Sequence, residues 1–304
     1  MLVRVMPPAH TRENTMSQTI INGDSAEVLK QFKDNSIDAV ITDPPYGIEF
    51  LAKEWDRNTG AVEIWSECLR ILKPGGYLLA FSAARTYHHL ATNIESVGFE
   101  IRDQIMWLYA SGFPKAQQIK GHTGWKTALK PAHEPICMAR KPFRGSTYAN
   151  MNTHGVGALN IDATRIASEP LQYPADGRKR TTYAQSEPAK WRDSDQQMTR
   201  NDKGRFPSNV IGEVEGYQKF FYCPKVSRKE RMDFNNHPTV KPVDLMKYLV
   251  RLVAPQGSHI LDPFMGSGST GMACKELGYK FTGIEMDKGY CDIAEQRIGE
   301  HNEQ

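Results

Sequence analysis

Two short segments of this 304-residue chain hold residue types with a chemistry of their own. The first is Asp43-Pro44-Pro45-Tyr46, directly after the apolar run Ala39-Val40-Ile41-Thr42. The lone pair of a nucleobase's exocyclic amine is delocalised into the ring, so such an amine is a poor nucleophile. Two acceptors that each take one of its N–H bonds favour a pyramidal nitrogen with the lone pair exposed. Asp43 and the Pro44 carbonyl suit that task, and the ring-locked φ of Pro44 and Pro45 fixes the carbonyl's angle. Tyr46 offers a face on which a base swung out of a duplex can stack. The plainer alternative is a proline-rich turn with a solvent-facing aspartate.

The second segment runs from Asp262 through Pro263, Phe264, Met265, Gly266, Ser267, Gly268, Ser269 and Thr270 to Gly271. Glycines in a strand-to-helix turn let backbone approach a ligand, and the helix start offers free N–H groups. Glu285, ending the next apolar run, is placed to accept hydrogen bonds from ribose hydroxyls. Gly266, Gly268 and Gly271 also satisfy G-x-G-x-x-G, so a dinucleotide site and a nicotinamide-dependent oxidoreductase enter as rivals. Asp262 argues against them: an acid suits a cofactor bearing a sulfonium and an ammonium better than a pyrophosphate. A tight turn with no ligand is the remaining reading.

Both segments need a scaffold, and the hydrophobic pattern supplies one. Strands are predicted at Thr19–Asn22, Ala39–Thr42, Tyr77–Ser82, Ile101–Leu108, Pro135–Met138, His259–Asp262 and Lys280–Glu285. Helical stripes fall at Val28, Leu29 and Phe32; at Trp65, Cys68, Leu69 and Leu72; and at Tyr87, Leu90, Ala91 and Ile94. Others fall at Met246, Leu249, Val250 and Val253, over Ser269–Leu277, and at Tyr290, Ile293, Ala294 and Ile298. Pro74-Gly75-Gly76 and Gly257 read as helix stops. Strands alternating with helices imply an α/β, doubly wound, parallel sheet, in which ligands sit outside the strands' carboxyl ends. The pattern lapses over 144–232, a stretch rich in Gly, Pro, Ser, Thr and Asn, with Arg178-Lys179-Arg180 inside it. So long an irregular stretch is either functional or a solvated linker.

With 39% hydrophobic and 24% charged residues the chain reads as a globular protein, and its net charge of +3 requires any nucleic-acid contact to come from local charge. No apolar run approaches the ~20 residues of a membrane-spanning helix. Five scattered cysteines without a C-x-x-C pair argue for a reducing cytoplasm and against a disulfide or zinc framework. His88-His89 and His154 match no ligand spacing, so no metal is expected. Residues 1–16 read as a disordered extension.

Asp43-Pro44-Pro45-Tyr46 taken with Phe264-x-Gly266-x-Gly268 resembles the paired motifs of the DNA amino-methyltransferases. The order, catalytic motif before cofactor motif, resembles the permuted β class. His237-Pro238-Thr239-Val240-Lys241-Pro242 resembles the segment holding the methionine end of the cofactor. Gly23-Asp24 resembles the element whose acid lies near the cofactor adenine. Leu72-Lys73-Pro74-Gly75-Gly76, Trp107 and His133-Glu134 fall where that family keeps similar residues. The resemblance covers roughly 17–143 and 233–300.

What the resemblance implies is a bacterial or phage enzyme that moves a methyl group from S-adenosyl-L-methionine to the N6 amine of adenine, flipped out of duplex DNA. Its fold would be a mainly parallel seven-stranded sheet whose last strand inserts antiparallel, circularly permuted. The parts would be a catalytic half at 17–143, a target-recognition insertion at 144–232 and a cofactor-binding half at 233–304. Catalysis would fall to Asp43, Pro44, Pro45 and Tyr46. The cofactor would meet Asp24, His237, Thr239, Lys241, Asp262, Phe264, Gly266, Gly268 and Glu285. Trp107, Lys126, Arg178, Lys179, Arg180, Trp191 and Arg228 would face double-stranded DNA, their charge meeting phosphates and their rings stacking on bases. A homodimer and a cognate restriction endonuclease stay open as further partners.

Two rival methylation chemistries differ in their residues. N4-cytosine enzymes more often carry Ser where Asp43 stands, which favours adenine and leaves cytosine as the alternative. Carbon-5 methylation needs a cysteine nucleophile, usually in a Pro-Cys pair; Cys137 follows Ile136, and Cys223 precedes Pro224. A DNA-binding relic without activity is opposed by the intact Asp43 and Tyr46.

Overall fold

The computed structural model describes residues 17–48, 58–109, 116–167, 171–174, 198–201, 203–212, 232, 234–237 and 239–300. In chain order its strands are β1 (Gln18–Asn22), β2 (Ile37–Thr42), β3 (Leu72–Phe81), β4 (Glu100–Leu108), β5 (His133–Arg140), β6 (Leu171–Pro174), β7 (Met198–Asn201), β8 (Val210–Gly212), β9 (His259–Asp262) and β10 (Lys280–Glu285). Its α-helices are α1 (Ser25–Val28), α2 (Val62–Ile71), α3 (Tyr87–Ser96), α4 (Thr147–His154), α5 (Val243–Val253), α6 (Ser269–Leu277) and α7 (Lys288–Glu300). One sheet runs in the order β1-β10-β9-β2-β3-β5-β4-β8, and β6 with β7 forms a separate antiparallel ribbon.

Within the large sheet β5 runs antiparallel to both β3 and β4, and the other pairings are parallel. The sheet has eight strands where seven are predicted. The eighth, β8, comes from the segment assigned to the insertion and extends the edge beside β4, from Met106 opposite Val210 to Leu108 opposite Gly212. Three residues are too few to show a strand period, which is why the sequence hides it. β1 pairs with β10 from Gln18 opposite Phe281 onward, and α7 packs on β1, so the two ends of the described chain meet as the permuted order requires.

The central strands are buried on both faces. Along β2, Ala39 and Ile41 enter one core while Ile37 and Val40 enter the other; along β3, Tyr77, Leu79 and Phe81 separate from Leu78 and Ala80 in the same way. Period-2 alternation between two apolar layers explains why these strands read as unbroken hydrophobic runs. One layer is capped by α2 and α3 through Trp65, Ile71, Leu90 and Ile94, and the other by α5, α6 and α7 through Leu249, Met272 and Ala294. Each such side chain contributes roughly 1.5–3 kcal/mol of burial.

Three boundaries differ from the sequence reading. β3 begins at Leu72, so Leu72 belongs to the strand and Pro74-Gly75-Gly76 lie inside it. Proline biases the residue before it toward extended backbone, which stops α2 upstream of the glycines. α5 ends at Val253, capped by the Ala254 N–H on the Val250 carbonyl, ahead of Gly257. The start of the supposed insertion is part of the body: α4 packs on β3, and buried Asn150 donates to the carbonyls of Pro74 (2.9 Å) and Val156 (2.7 Å). No helix among the described residues is long and apolar enough to cross a membrane.

Candidate active site

β2 and β9 are parallel neighbours, with Val40 opposite Leu261, so their carboxyl ends open on the same edge. Asp43 leaves one and the Pro263–Gly268 turn leaves the other. The Tyr46 hydroxyl lies 2.7 Å from Asp43 Oδ1 and 3.0 Å from Glu134 Oε2. Lys241 Nζ lies 2.5 Å from Asp43 Oδ2, 3.1 Å from the Tyr46 oxygen and 3.4 Å from Glu134 Oε2. The same ammonium stands 5.0 Å from the centre of the Phe81 ring and 5.5 Å from that of Tyr46. Pro44 is buried and Pro45 half-buried beside this cluster.

The electrostatics follow from burial and these neighbours. Burial pushes the Tyr46 phenol well above its ordinary value, and Asp43 and Glu134 push it further, so it stays a donor. Burial alone would lower Lys241, but Asp43 and Glu134 outweigh it and its value is raised, so the ammonium persists.

On the neighbouring strand, buried Asp262 is bound on both oxygens. Oδ1 accepts from the Thr42 hydroxyl (2.7 Å) and the Phe264 N–H (3.1 Å), and Oδ2 from the Thr270 hydroxyl (2.7 Å). Burial raises its carboxyl to about 6. Gly266 and Gly268 both have positive φ, +53° and +82°, and Gly268 caps α6. A Cβ on Gly266 would come within 2.9 Å of His237 Nε2, so the imidazole lies directly over the bare turn. Burial lowers the His237 value, and the ring packs edge-on to Tyr290 at 4.5 Å. Glu285 accepts the Gly266 N–H on Oε2 and the Asp287 N–H on Oε1, both at 2.9 Å, and burial raises its carboxyl. Each carboxylate oxygen keeps a second lone pair for a hydroxyl donor. Fully buried Arg297 of α7 ties the turn from behind, donating to the Ser267 carbonyl (2.5 Å) and hydroxyl (2.9 Å).

The DNA methylase family, of N6/N4 type, matches residues 37–296, a span holding both the acid cluster and the glycine turn. The chain belongs to that family. It is similar to the type II methyltransferase M.HindIII of Haemophilus influenzae, 28% identical over 93% of this chain and 96% of the relative. The DNA adenine methyltransferase YhdJ of Escherichia coli is 26% identical over 95% of this chain and 85% of its own length. Among solved structures, the M1.HpyAVI–SAM complex shares the fold at a TM-score of 0.52 and 22% identity, covering 93% of this chain and 99% of that one.

In this DNA methylase the predicted site residues divide into three sets. Asp43, Tyr46 and Lys241 form one cluster, so the lysine expected at the cofactor meets the aspartate expected to carry catalysis. His237, Asp262, Phe264, Gly266, Gly268 and Glu285 surround the turn, the Phe264 ring packing at a tilt 5.9 Å from that of buried Trp65. Asp24 is exposed and caps α1 through the Ala26 N–H (2.8 Å), while Gly23 N–H binds the Glu285 carbonyl (3.0 Å), keeping that acid at the turn's rim. Thr239 is exposed, its N–H 3.3 Å from His237 Nδ1.

Trp107 packs edge-on to Phe81 at 6.4 Å, one strand from the acid cluster. Lys126 is exposed on a hairpin between β4 and β5, with the Ile119 N–H on the Trp125 carbonyl (3.1 Å). Arg178, Lys179, Arg180, Trp191 and Arg228 lie outside the described residues, as do residues 1–16. Sequence reading passed over Glu134, Phe81 and Thr42 as site residues. A lone acid at the mouth of the apolar run Pro135–Met138 was the available signal for Glu134.

Proposed function

We propose that this DNA methylase transfers a methyl group from S-adenosyl-L-methionine to the N6 amine of adenine in duplex DNA. The observation that carries the reading is the acid cluster at the end of β2: an aspartate, a stacking tyrosine and a buried lysine beside a glycine turn at the next strand end. The naming of YhdJ as an adenine enzyme supports the choice of base. The cytoplasm of a bacterial or phage-infected cell suits four cysteines that are free and buried, Cys68, Cys137, Cys274 and Cys291.

The turn fits such a cofactor, because Gly266 brings no side chain to it and Glu285 keeps lone pairs for ribose hydroxyls. S-adenosyl-L-methionine supplies an already activated methyl group on its sulfonium. Asp43 accepts one N–H of the target amine and the Pro44 carbonyl the other, which frees the nitrogen lone pair. The Tyr46 ring stacks on the flipped base. Lys241 binds Asp43 Oδ2, which leaves Oδ1 toward the substrate.

Incubation with labelled S-adenosyl-L-methionine and unmethylated duplex, then digestion and mass spectrometry, tests this. N6-methyladenine is the expected product, lost in Asp43→Ala while cofactor binding persists. N4-methylcytosine would overturn the choice of base, and full turnover in Asp43→Ala would overturn the catalytic assignment.

A further inference from the structure

Tyr46 has one hydroxyl proton and two carboxylates within its reach. Its oxygen lies 2.7 Å from Asp43 Oδ1 and 3.0 Å from Glu134 Oε2. Asp43 Oδ2 is held by Lys241 at 2.5 Å. On the catalytic reading above, Oδ1 is the oxygen that receives the target amine, and in this arrangement Tyr46 already donates to it. A carboxylate oxygen can take a second donor, but a tyrosine that stacks on the base and keeps its own proton on that oxygen competes with the amine for it. The second carboxylate removes that conflict.

We propose that Glu134 is a positioning residue that accepts the Tyr46 hydroxyl when the base amine takes Asp43 Oδ1, so that the aromatic ring keeps its place while the acceptor is released. The proposal rests on the assignment of Asp43 as acceptor for the amine. The exchange needs only rotation about the phenolic C–O bond: no covalent bond forms or breaks, and each group keeps its protons. Lys241 Nζ, 3.1 Å from the same oxygen, can donate to a hydroxyl lone pair in either orientation.

Glu134 is built for a fixed position. It lies on β5 in register opposite Trp107 of β4, on paired strand rather than loop. Its carboxylate also faces Lys241 at 3.4 Å, which holds it beside the Tyr46 oxygen. Without it, the half-buried hydroxyl would stay on Asp43 in competition with substrate.

A double-mutant cycle on the full-length protein tests this, with kcat, DNA KM and S-adenosyl-L-methionine Kd measured for the native chain, Glu134→Ala, Tyr46→Phe and the double variant. Phenylalanine keeps the stacking ring and removes the hydroxyl that needs two acceptors. Glu134→Ala is expected to lower kcat about tenfold, the rate equivalent of one hydrogen bond, with cofactor Kd unchanged. In the Tyr46→Phe background the same change is expected to cost less than about threefold. Glu134→Gln, which keeps an acceptor oxygen without the charge, is expected to restore most of the rate, and it remains readable if the alanine variant fails to fold.

Equal losses in both backgrounds would overturn the proposal, because Glu134 would then act through Lys241 or the fold. So would a glutamine variant as slow as the alanine one. Asp43→Ala is measured alongside. Turnover surviving there sinks the catalytic assignment itself, whereas an inactive Asp43→Ala with an additive cycle sinks only the role given to Glu134.

Discussion

Thr42 donates its hydroxyl to Asp262 across 2.7 Å, although 220 positions separate them in sequence. That bond fastens the strand end from which Asp43 emerges to the strand end from which the glycine turn emerges. Thr270 and the Phe264 N–H complete the set, so one buried carboxyl joins β2, β9, the turn and the first residues of α6. The spacing between acid cluster and turn is thus fixed by a side chain that offers both its oxygens to the protein.

A pH dependence of stability follows from Asp262. Burial raises its value from the ordinary 3.8 to about 6, so the folded protein favours the neutral form. Between those two values the native state keeps a proton that the unfolded chain has lost. Stability therefore falls as pH rises through that window and levels off above it. The gap corresponds to roughly 3 kcal/mol as a ceiling. Asp262→Asn, a permanently neutral analogue of similar shape, should escape the loss. Urea unfolding of both proteins from pH 4.5 to 7.5 is expected to show the difference moving in the variant's favour by roughly 2 kcal/mol, the part of the gap inside that range. A difference that does not change with pH would refute the assignment.

Gly266 and Gly268 sit two residues apart in one turn, and the same substitution should harm different properties. Alanine at either must adopt left-handed backbone, which costs roughly 1–2 kcal/mol. At Gly266 the new methyl meets His237 Nε2 at 2.9 Å, on the face a cofactor would approach. At Gly268 it meets Ala294 Cβ at 3.0 Å and Ile298 Cδ1 at 3.3 Å, against α7. Gly268→Ala is expected to lose a further ~1–3 kcal/mol of stability from overpacking. Gly266→Ala is expected to weaken S-adenosyl-L-methionine binding about tenfold or more. Thermal unfolding and calorimetry separate the two, and unchanged affinity in Gly266→Ala would remove the turn from the cofactor site.

The sequence showed those parts of the site that depend on local geometry. Ser269–Leu277 and Lys280–Glu285 form the helix and strand predicted, because caps, periodicity and glycines act over a few residues. Pairings between distant side chains left no local trace. Lys241 sits 198 positions from Asp43 and carries the neighbours of a cofactor motif, yet its ammonium turns to the acid. Glu134 lies 88 positions from Tyr46, and nothing in the His133–Arg140 run says which strand end it faces. β8 adds an edge strand through three residues whose pairing is set by β4 rather than by their own pattern.

The hairpin between β4 and β5 supplies the last prediction. It springs from the strand ends that carry Trp107 and Glu134, closed by the Tyr109 N–H on the Ala132 carbonyl at 3.0 Å. Trp125 is 72% exposed and Leu129 92% exposed, an apolar surface that points to an interaction. Lys120, Lys126 and Lys130 lie within it, and no acidic residue occurs from 110 to 133. Exposed aromatic surface among lysines suits a DNA strand, the ring for a base face and the lysines for phosphates. Trp125→Ala is expected to weaken duplex binding by roughly 1–3 kcal/mol. Lys126→Ala is expected to weaken it several-fold and to lower the salt-dependence slope by about 0.9, the signature of one lost phosphate contact. Both side chains are exposed, so melting temperatures should stay as in the native chain. Fluorescence titration of duplex across a salt series reads all three quantities, and native-like affinity in both variants would take the hairpin out of the DNA interface.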